Sequence, residues 1–430
     1  MSDTRIESVT GRRVWDSRGR PTVEAEVALR GGGRGRAIAP AGASTGSGEA
    51  VELRDGGAAL GGLDVQRAIA NVRGPIADAL KDVDADDQAD VDARLCRLDG
   101  TDDKRRLGAN ATVAVSMACA HAAAAAAGVP LWRHLAGSDD VVLPLPEIQI
   151  FGGGAHAGGR VDVQDFMLVA PGAGCFDEAL VWTAEVYAAA GRLLEARGKL
   201  RGVADEGGYW PEFSSNEEAL ECLLAAIEAA RLVPRDQVAI ALDIAASELG
   251  SAGRYALALD GEELESDALI ERLGEWIARY PIVSVEDPLG EDDEPGLVRF
   301  TARFGDTLQI VGDDYLVTDA ARVAHAAAVG ACNAVLIKPN QAGTLSEARR
   351  AFDAARGAGW GAIVSARSGE TEDTTIVHLA LGWGVPQLKV GSFSRSERMA
   401  KWNEALRIES ALGQRAKFAG RAALSGRHTR

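Results

Sequence analysis

Six short apolar runs in the second half of the chain each carry a polar side chain at or just after their end. In chain order they are VAIALD with Asp243, IVSVED with Glu286, LQIVGDD with Asp313, AVLIKPN with Lys338, AIVSAR with Arg367 and QLKVG with Lys389. Segments with helical periodicity separate them. Strands alternating with helices at this pitch predict a parallel sheet, and enough of them close into a (β/α) barrel. The sequence therefore predicts three carboxylates and two lysines facing each other at the barrel mouth.

The three carboxylates, Asp243, Glu286 and Asp313, are the strongest chemical signal in the sequence. Acidic groups at the ends of apolar strands are costly to bury without a partner. Oxygen ligands with no Cys or His nearby favour a hard cation, Mg²⁺ before Mn²⁺ or Ca²⁺. The alternative is that each carboxylate caps the helix that follows its strand. Three acids at successive strand ends favour the metal site.

Lys338 and Lys389 lie at later strand ends of the same predicted barrel. A lysine beside a metal and a second ammonium group has its charged form disfavoured, so it can act as a base near neutral pH. Salt bridges with the same carboxylates are an equally good explanation of the two residues. The sequence leaves both interpretations open.

Three further motifs favour substrate binding. Arg367 and Ser368, followed by a glycine, form a predicted anion clamp, since arginine suits bidentate contact with phosphate. The loop GASTGSGE places Ser44 where it could close over the mouth, although such a loop is more often a plain turn. His156 in GGGAHAGG has neighbours too small to enclose it, which favours a functional role over a place in the core.

The composition predicts a soluble, globular, cytoplasmic protein. Apolar residues make up 47% of the 430 residues, and no uninterrupted apolar run is long enough to span a bilayer. The N-terminal MSDTRIESV lacks the apolar core of a signal peptide. The net charge of −17, with interspersed basic residues, argues against nucleic acid or a membrane as partner. The five cysteines are scattered without a CxxC motif, which predicts small buried side chains in a reducing compartment.

The chain is longer than the ~250 residues typical of one barrel, which predicts a second domain. Its first part predicts a hairpin over Ile6 to Leu29 and then helices over 64–81, 85–98 and 109–128, together an α+β unit. We place the boundary before the proline-marked VVLPLPEIQIF, which gives domains 1–137 and 138–430. A helix over 176–197 and a short loop, VADEGGYWP, follow. The basic end QRAKFAGRAALSGRHTR is predicted to be frayed.

Taken in order, these motifs resemble the enolase family over nearly the whole chain. The matching stretches are VWDSRGRPTVEAEV, GASTG with EAVELRD, GGAHAGG, VQDFM, ADEGG, ALDIAASE, SVEDPLGEDD, IVGDD, LIKPNQAGTLSEA, SARSGETEDT and RSERMAKWNEALRIE. The resemblance implies an α/β protein with an N-terminal α+β domain and an enolase-type (β/α)8 barrel that starts with two strands and two helices. It also implies Mg²⁺-dependent dehydration of 2-phosphoglycerate to phosphoenolpyruvate by a homodimer or octamer.

The resemblance implies two Mg²⁺ ions per active site. Asp243, Glu286 and Asp313 match the ligands of the first ion, and Ser44 matches the lid serine that reaches the second. The α-proton of a carboxylate is very weakly acidic, so the enolate dianion needs positive charge near both oxygens. Sites of the enolase superfamily meet this need with a Lys or His base beside one or two Mg²⁺ ions, and the residues here match that pattern.

The resemblance also gives roles to the remaining positions. Lys338 matches the base that removes the α-proton, and Glu206 matches the general acid for the departing hydroxyl. Lys389 matches the lysine that binds the substrate carboxylate. Arg367 and Ser368 match the residues that bind the phosphate. His156 and Gln164 match residues that contact the lid and the substrate, and Asp165 matches a substrate-binding position.

Several family residues are replaced in this chain. Ala366 stands where the family has histidine in S-H-R-S-G-E-T, and Asp165 stands where it has glutamate in Q-E-F-M. Gly152 replaces an asparagine, while Ala155 and Ala41 replace serines. The shorter Asp165 side chain withdraws its carboxylate by about 1.5 Å. The replacements predict retained enolate formation with altered handling of the β-substituent.

Three functions remain open from the sequence. The first is an ordinary enolase acting on 2-phosphoglycerate. The second is a paralogue that uses the enolate step on another phosphorylated or phosphonylated carboxylic acid, similar to the enolase relative proposed to make carboxyphosphonoenolpyruvate in phosphonate and phosphinate natural-product biosynthesis. The third is a non-catalytic binding protein. The retained Lys338, Glu206 and carboxylates argue against the third, because a scaffold does not need them.

Overall fold

The computed structural model describes residues 3–424. The first part is a three-stranded antiparallel sheet formed by Ile6–Trp15, Pro21–Leu29 and Arg34–Ile38. The helix Ala109–Ala127 lies across this sheet, and a Cβ at Gly35 would collide with the backbone of that helix. Glycine therefore permits the close approach of helix and sheet. Within the described residues, this helix alone is long and apolar enough to cross a membrane, and most of it is buried inside the protein.

The predicted N-terminal helices are present with shifted ends. The first is divided into Gln66–Asn71, a π-helical turn over Val72–Ile76, and Ala77–Leu80. Pro75 lies in that turn, and its missing N–H interrupts the regular helical hydrogen bonds. The other helices of this part are Gln88–Asp99 and Leu131–Ala136. The domain boundary between residues 137 and 138 stays a prediction.

Eight strands close into a barrel in the second part of the chain. They are Leu145–Gly152, Asp165–Val169, Ala239–Asp243, Ile282–Glu286, Gln309–Gly312, Ala334–Ile337, Gly361–Ser365 and Gln387–Gly391. The eighth strand pairs with the first, which closes the sheet. The second strand runs antiparallel to both neighbours, whereas the other pairs are parallel. Asp165 at its start is therefore level with Asp243 at the end of the next strand.

The barrel helices follow the order that the resemblance implies, with two helices after the first two strands and one main helix after each later strand. They are Phe176–Ala196, Asn216–Ala229, Ser266–Arg279, Glu294–Phe304, Ala320–Val329, Leu345–Gly357, Thr375–Trp383 and Ser396–Leu412, with the short Pro339–Ala342 after the sixth strand. Small surface strands lie at Gly250–Ser251, Arg254–Leu257 and Glu262–Glu265. The segment predicted as a plain loop contains a hairpin of Leu200–Val203 and Tyr209–Pro211, so only its tip around Asp205 and Glu206 is a loop.

The prediction of a frayed C-terminal end is wrong for its described part. Lys417–Phe418 pairs with the strand Val142–Leu143, and Ala423 and Leu424 are 3% and 2% exposed. These last two side chains pack with apolar residues at the N-terminal end of the barrel, including Met167. Burial of this short apolar segment opposes the loss of order expected from its basic composition. Residues 425–430 lie outside the described part.

The cysteine prediction holds for three of the five residues. Cys119, Cys222 and Cys332 are buried as free thiols. Cys96 is only partly buried, and Cys175 is exposed at the start of the helix Phe176–Ala196. The sulfur of Cys175 accepts from the amide of Glu178, 3.4 Å away, so this cysteine takes the position of a helix cap rather than a core residue.

Candidate active site

A cavity lies at the mouth of the barrel, beneath the loop that carries Ser44. Nine predicted site residues line it: Ser44, His156, Gln164, Glu206, Asp243, Lys338, Arg367, Ser368 and Lys389. The other three, Asp165, Glu286 and Asp313, each form an ion pair with a residue that lines it. The structure therefore brings all twelve predicted residues together, at strand ends and loops on one face of the barrel.

Lys389 lies at the centre of the carboxylates. Its Nζ is 2.9 Å from Oδ2 of Asp243 and 2.9 Å from Oε2 of Glu286, and it is 3.7 Å from Oδ2 of Asp165. Burial disfavours its ammonium form, but the surrounding carboxylates outweigh burial and raise the pKa of Lys389 well above its ordinary value. Lys389 is therefore a fixed positive charge at the floor of the cavity.

Lys338 contacts Asp313 directly through an ion pair between Nζ and Oδ2. Burial disfavours the ammonium form, yet Asp313 outweighs it, so the pKa of Lys338 is raised. Of the two interpretations that the sequence leaves open for Lys338, this contact is the salt bridge with a carboxylate, while a role as a base beside a metal stays a prediction. Lys338 can become a base only after this contact is broken.

The carboxylates fit a divalent cation better than they fit helix caps. The helices after Glu286 and Asp313 are capped instead by Asp293 and Asp319. Glu286 is 1% exposed, and its Oε1 has no hydrogen-bond partner among the described residues. Burial and the neighbouring Asp243 raise the pKa of Glu286 well above its ordinary value. A buried, incompletely compensated set of oxygen donors is the chemistry that Mg²⁺ satisfies.

A second carboxylate layer supports the backbone next to Asp313. The side chain of Asp287 accepts hydrogen bonds from the amides of Asp313 and Asp314, at 2.9 and 2.8 Å. Oxygen atoms of these three residues lie within 4.8 Å of one another, which makes them another group able to hold a cation. Burial and repulsion from Asp313 raise the pKa of Asp314 to about 8. Negative charge is thus concentrated on this side of the mouth.

His156, Asp165 and Glu206 form a second buried group at the mouth, with one nitrogen or oxygen atom of each within 4.8 Å of the others. The loop after the first strand carries His156, and the hairpin tip carries Glu206. The side-chain Nε2 of Gln149 contacts Oδ1 of Asp165. The side-chain Oε1 of Gln149 accepts a hydrogen bond from the backbone amide of Gly208, 2.8 Å away. Gln149 thereby ties Asp165 to the hairpin of Glu206.

Arg367 and Ser368 form the third side of the cavity together with the N-terminal part of the chain. Arg18 donates to Oγ of Ser368 at 3.3 Å and to the carbonyl of Ala41 at 2.9 Å. The buried Arg398 donates to the carbonyl oxygens of Arg367 and Ser368, at 2.7 and 2.6 Å. The clamp is therefore held from the N-terminal sheet and from the barrel at once.

Family models match both parts of the chain. The enolase N-terminal domain matches residues 6–135, and the enolase C-terminal TIM barrel domain matches residues 140–426. The chain belongs to the enolase family. The predicted fold class, an enolase-type (β/α)8 barrel after an N-terminal α+β domain, is confirmed. Its domains are those of an enolase-superfamily lyase.

The replaced enolase positions lie around this same cavity. Ala366 lines it at 4% exposure, and its amide donates to the carbonyl of Lys389, 2.8 Å away. Asp165 is fully buried beside His156. A Cβ at Gly152 would collide with the side chain of Ala204, which precedes the hairpin tip. These replacements therefore lie next to Lys389, His156 and Ala204 rather than at the three carboxylates of the strand ends.

Sequence reasoning missed several residues of the site. Glu49 pairs with Arg367, and Gln341 donates to Asp313 at 2.9 Å. Both belong to stretches already recognised, GASTGSGE and LIKPNQAGT, so their motifs held the signal. Glu147 is 2% exposed and level with Lys389 on the adjoining strand, and burial raises its pKa to about 7. A lone glutamate after a proline gave no indication of this position.

Proposed function

We propose that this protein is a Mg²⁺-dependent lyase that removes the α-proton of 2-phosphoglycerate or a close analogue and eliminates the β-substituent. The product is phosphoenolpyruvate or its analogue. The observation that carries the proposal is the placement of Lys338 and Glu206 on one cavity with Lys389 and Arg367. That set supplies a base, an acid and two anion-binding cations, which a β-elimination from an anionic carboxylic acid requires.

Asp243, Glu286 and Asp313 are the residues that would hold the first Mg²⁺, and Ser44 on the loop would serve the second. When bound, the cations neutralise charge on the carboxylate of the enolate. Gln164 donates to Oδ2 of Asp243 at 3.1 Å and so orients this carboxylate. Orientation by a neighbouring amide is typical support for a metal ligand.

Lys389 and Arg367 place the substrate by its two anionic ends. The carboxylate binds at Lys389, and the phosphoryl group binds at Arg367 and Ser368. Two fixed anchors leave the carbon between them facing Lys338, which also lines the cavity. Holding reacting groups in place in this way removes much of the entropic part of the barrier.

The proton transfers divide between Lys338 and Glu206. Neutral Lys338 takes the α-proton on Nζ as the C–H bond breaks, and the electron pair passes to the carboxylate as an enolate. Loss of the ion pair with Asp313 prepares this step, because Asp313 is the strongest of the charges that favour the ammonium form of Lys338 against burial. Glu206 donates a proton to the β-oxygen as the C–O bond breaks, so water leaves and the C=C bond remains.

A second candidate is a paralogue in phosphonate or phosphinate natural-product biosynthesis. It forms the same enolate, but the β-oxygen carries a phosphonoformyl group, so the C–O bond breaks with departure of phosphonoformate, protonated by Glu206, in place of water. Ala366 favours this candidate, because its small side chain lines the same cavity as His156 and Glu206. More space and a changed acid network at that point suit a bulkier β-substituent.

The deciding experiment uses the full chain with Mg²⁺ and 2-phosphoglycerate in deuterated buffer. Proton NMR follows loss of the α-proton signal, and ultraviolet absorbance follows phosphoenolpyruvate. We expect α-proton exchange, with or without elimination. No exchange with 2-phosphoglycerate or with its phosphonate analogue would contradict the proposal and favour a non-catalytic binding protein.

A further inference from the structure

The guanidinium group of Arg367 is already occupied by the loop above it. Its Nη1 and Nη2 atoms lie 2.9 and 3.0 Å from the two carboxylate oxygens of Glu49. Nη2 also donates to the carbonyl of Ser44 at 3.0 Å. The side chains of Arg367 and Glu49 are 3% and 9% exposed. This is a buried bidentate ion pair between the barrel and the loop.

Glu49 is fixed by further donors around the same carboxylate. Its Oε1 accepts from the amide of Gly46 and from Nε2 of Gln341, each at 3.2 Å. The carbonyl of Gln341 in turn accepts from the amide of Ala50 at 2.8 Å. The loop therefore reaches Arg367 in one defined position, with Glu49 as its point of attachment.

This pairing leaves Arg367 without a free edge for an oxyanion. A guanidinium binds two oxygens either through Nη1 and Nη2 or through Nη2 and Nε. Glu49 takes the first edge, and the carbonyl of Ser44 uses Nη2, which the second edge needs. An oxyanion can bind Arg367 bidentately only by displacing one of these two groups.

We propose that Glu49 is a specificity-determining residue that competes internally for Arg367 and excludes simple oxyanions such as inorganic phosphate. The inference rests on the proposed function, since it takes Arg367 as the phosphoryl anchor. A ligand that also carries a carboxylate for Lys389 gains a second contact, which offsets the cost of displacing Glu49. Inorganic phosphate has no such second contact, so it is excluded.

The competing explanation is that Glu49 only holds Arg367 in place. The two explanations predict opposite signs for the change Glu49→Gln, which keeps the size of the side chain and removes its charge. If Glu49 competes with phosphate for Arg367, removal of its charge lets phosphate bind more tightly. If Glu49 only holds Arg367 in place, the same change lets phosphate bind less tightly or leaves the affinity for phosphate unchanged.

The test is a calorimetric titration of the full chain with inorganic phosphate in the presence of Mg²⁺. We expect Glu49→Gln to bind phosphate at least about tenfold more tightly than the unchanged protein, because a charge in direct contact with the buried arginine is removed. The matched control is Glu52→Gln. Glu52 pairs with Arg54 at 2.8 Å and affects Arg367 only through its charge, so a smaller change is expected.

Two further variants make the result independent of folding and of turnover. Glu49→Asp keeps the charge but shortens the side chain, so it should give an intermediate gain if Glu49→Gln does not fold. Adding Arg367→Ala to Glu49→Gln should abolish the gain. Equal, weaker or undetectable phosphate binding in folded Glu49→Gln, or a gain that survives Arg367→Ala, would overturn the inference. The titration measures phosphate binding and not turnover. Its result can therefore be interpreted even if the protein does not act on 2-phosphoglycerate.

Discussion

The Nδ1 atom of His156 lies 3.0 Å from Oδ1 of Asp165, and both side chains are buried. Burial disfavours the imidazolium form, but Asp165 outweighs it and raises the pKa of His156 to about 9. Burial likewise opposes ionisation of Asp165, and His156 overcomes it and lowers the pKa of that carboxyl to about 2. The Nε2 atom of His156 is 3.9 Å from Glu206. A protonated imidazole is therefore held between two carboxylates at the mouth of the barrel.

Mg²⁺ binding should depend on Asp313. The change Asp313→Ala removes one of three carboxylates that would hold the cation and also leaves Lys338 without its partner. We expect calorimetric titration to show loss of Mg²⁺ affinity. Asp319→Ala is the matched control, because Asp319 only caps the helix Ala320–Val329. Equal Mg²⁺ affinity in the two variants would remove Asp313 from the metal site.

Proton abstraction should depend on Lys338. A positioned base contributes about 10²–10⁴-fold, so Lys338→Ala should abolish exchange of the α-proton of 2-phosphoglycerate in deuterated buffer. The control is Lys199→Ala, which removes a lysine that pairs with Glu218 away from the cavity. Circular dichroism establishes that both variants are folded. Exchange at the unchanged rate in Lys338→Ala would exclude it as the base.

Elimination should be slower than enolate formation in the unchanged protein. The proposed elimination relies on His156, Asp165 and Glu206 without the imidazole that Ala366 replaces, so α-proton exchange should run ahead of phosphoenolpyruvate release. The double change Ala366→His and Asp165→Glu should raise the rate of release relative to exchange. Dehydration of 2-phosphoglycerate at the rate of an ordinary enolase would show that the replacements are neutral.

Both single variants are needed beside that double variant. Ala366 lines the cavity and Asp165 pairs with His156, which also lines it, so the two changes are expected to be non-additive. Asp165→Glu adds a methylene group at a fully buried position, and overpacking of this kind costs about 1–3 kcal/mol. Thermal unfolding of each single variant separates this cost in stability from any gain in elimination.

Stability at mildly acidic pH should depend on His378, which is remote from the cavity. Burial, together with the neighbouring His121 ring at a centroid distance of 6.0 Å, lowers the pKa of His378 to about 4. The folded state therefore favours the neutral ring. This contribution to stability is complete above the unfolded pKa of about 6.5 and is lost as the pH falls toward 4.

Urea unfolding of His378→Gln at pH 7.5 and at pH 4.5 measures this contribution. The loss of unfolding free energy between the two conditions should be smaller in the variant than in the unchanged protein, by up to about 3 kcal/mol. His325→Gln is the control, since the side chain of His325 is 58% exposed beside Glu294. An identical pH dependence in His378→Gln and the unchanged protein would refute this assignment.

The strand ends of the barrel were predictable because each apolar run ends in a polar side chain, and parallel strands bring such ends to one edge. The pairing of Glu49 with Arg367 was not, since the residues are 318 positions apart and meet only through the placement of one domain on the other. The motifs indicated which residue types surround Lys338, but they did not indicate that Asp313 is the residue in direct contact with it. Similarly, the burial of Leu424 could not be predicted, because it depends on apolar side chains of the barrel that are distant in the sequence.

Closure of the barrel by its first and last strands has a consequence for synthesis of the protein. The strand Leu145–Gly152 leaves the ribosome long before its partner Gln387–Gly391, so most of its edge stays unpaired while more than half of the chain is made, and only Phe151 pairs with the earlier strand Tyr209–Pro211. The N-terminal sheet, by contrast, pairs neighbours in sequence and can form early. An unpaired apolar edge on a nascent chain is prone to aggregation. Protection of this edge during translation, rather than the stability of the finished barrel, is therefore expected to limit the yield of folded protein.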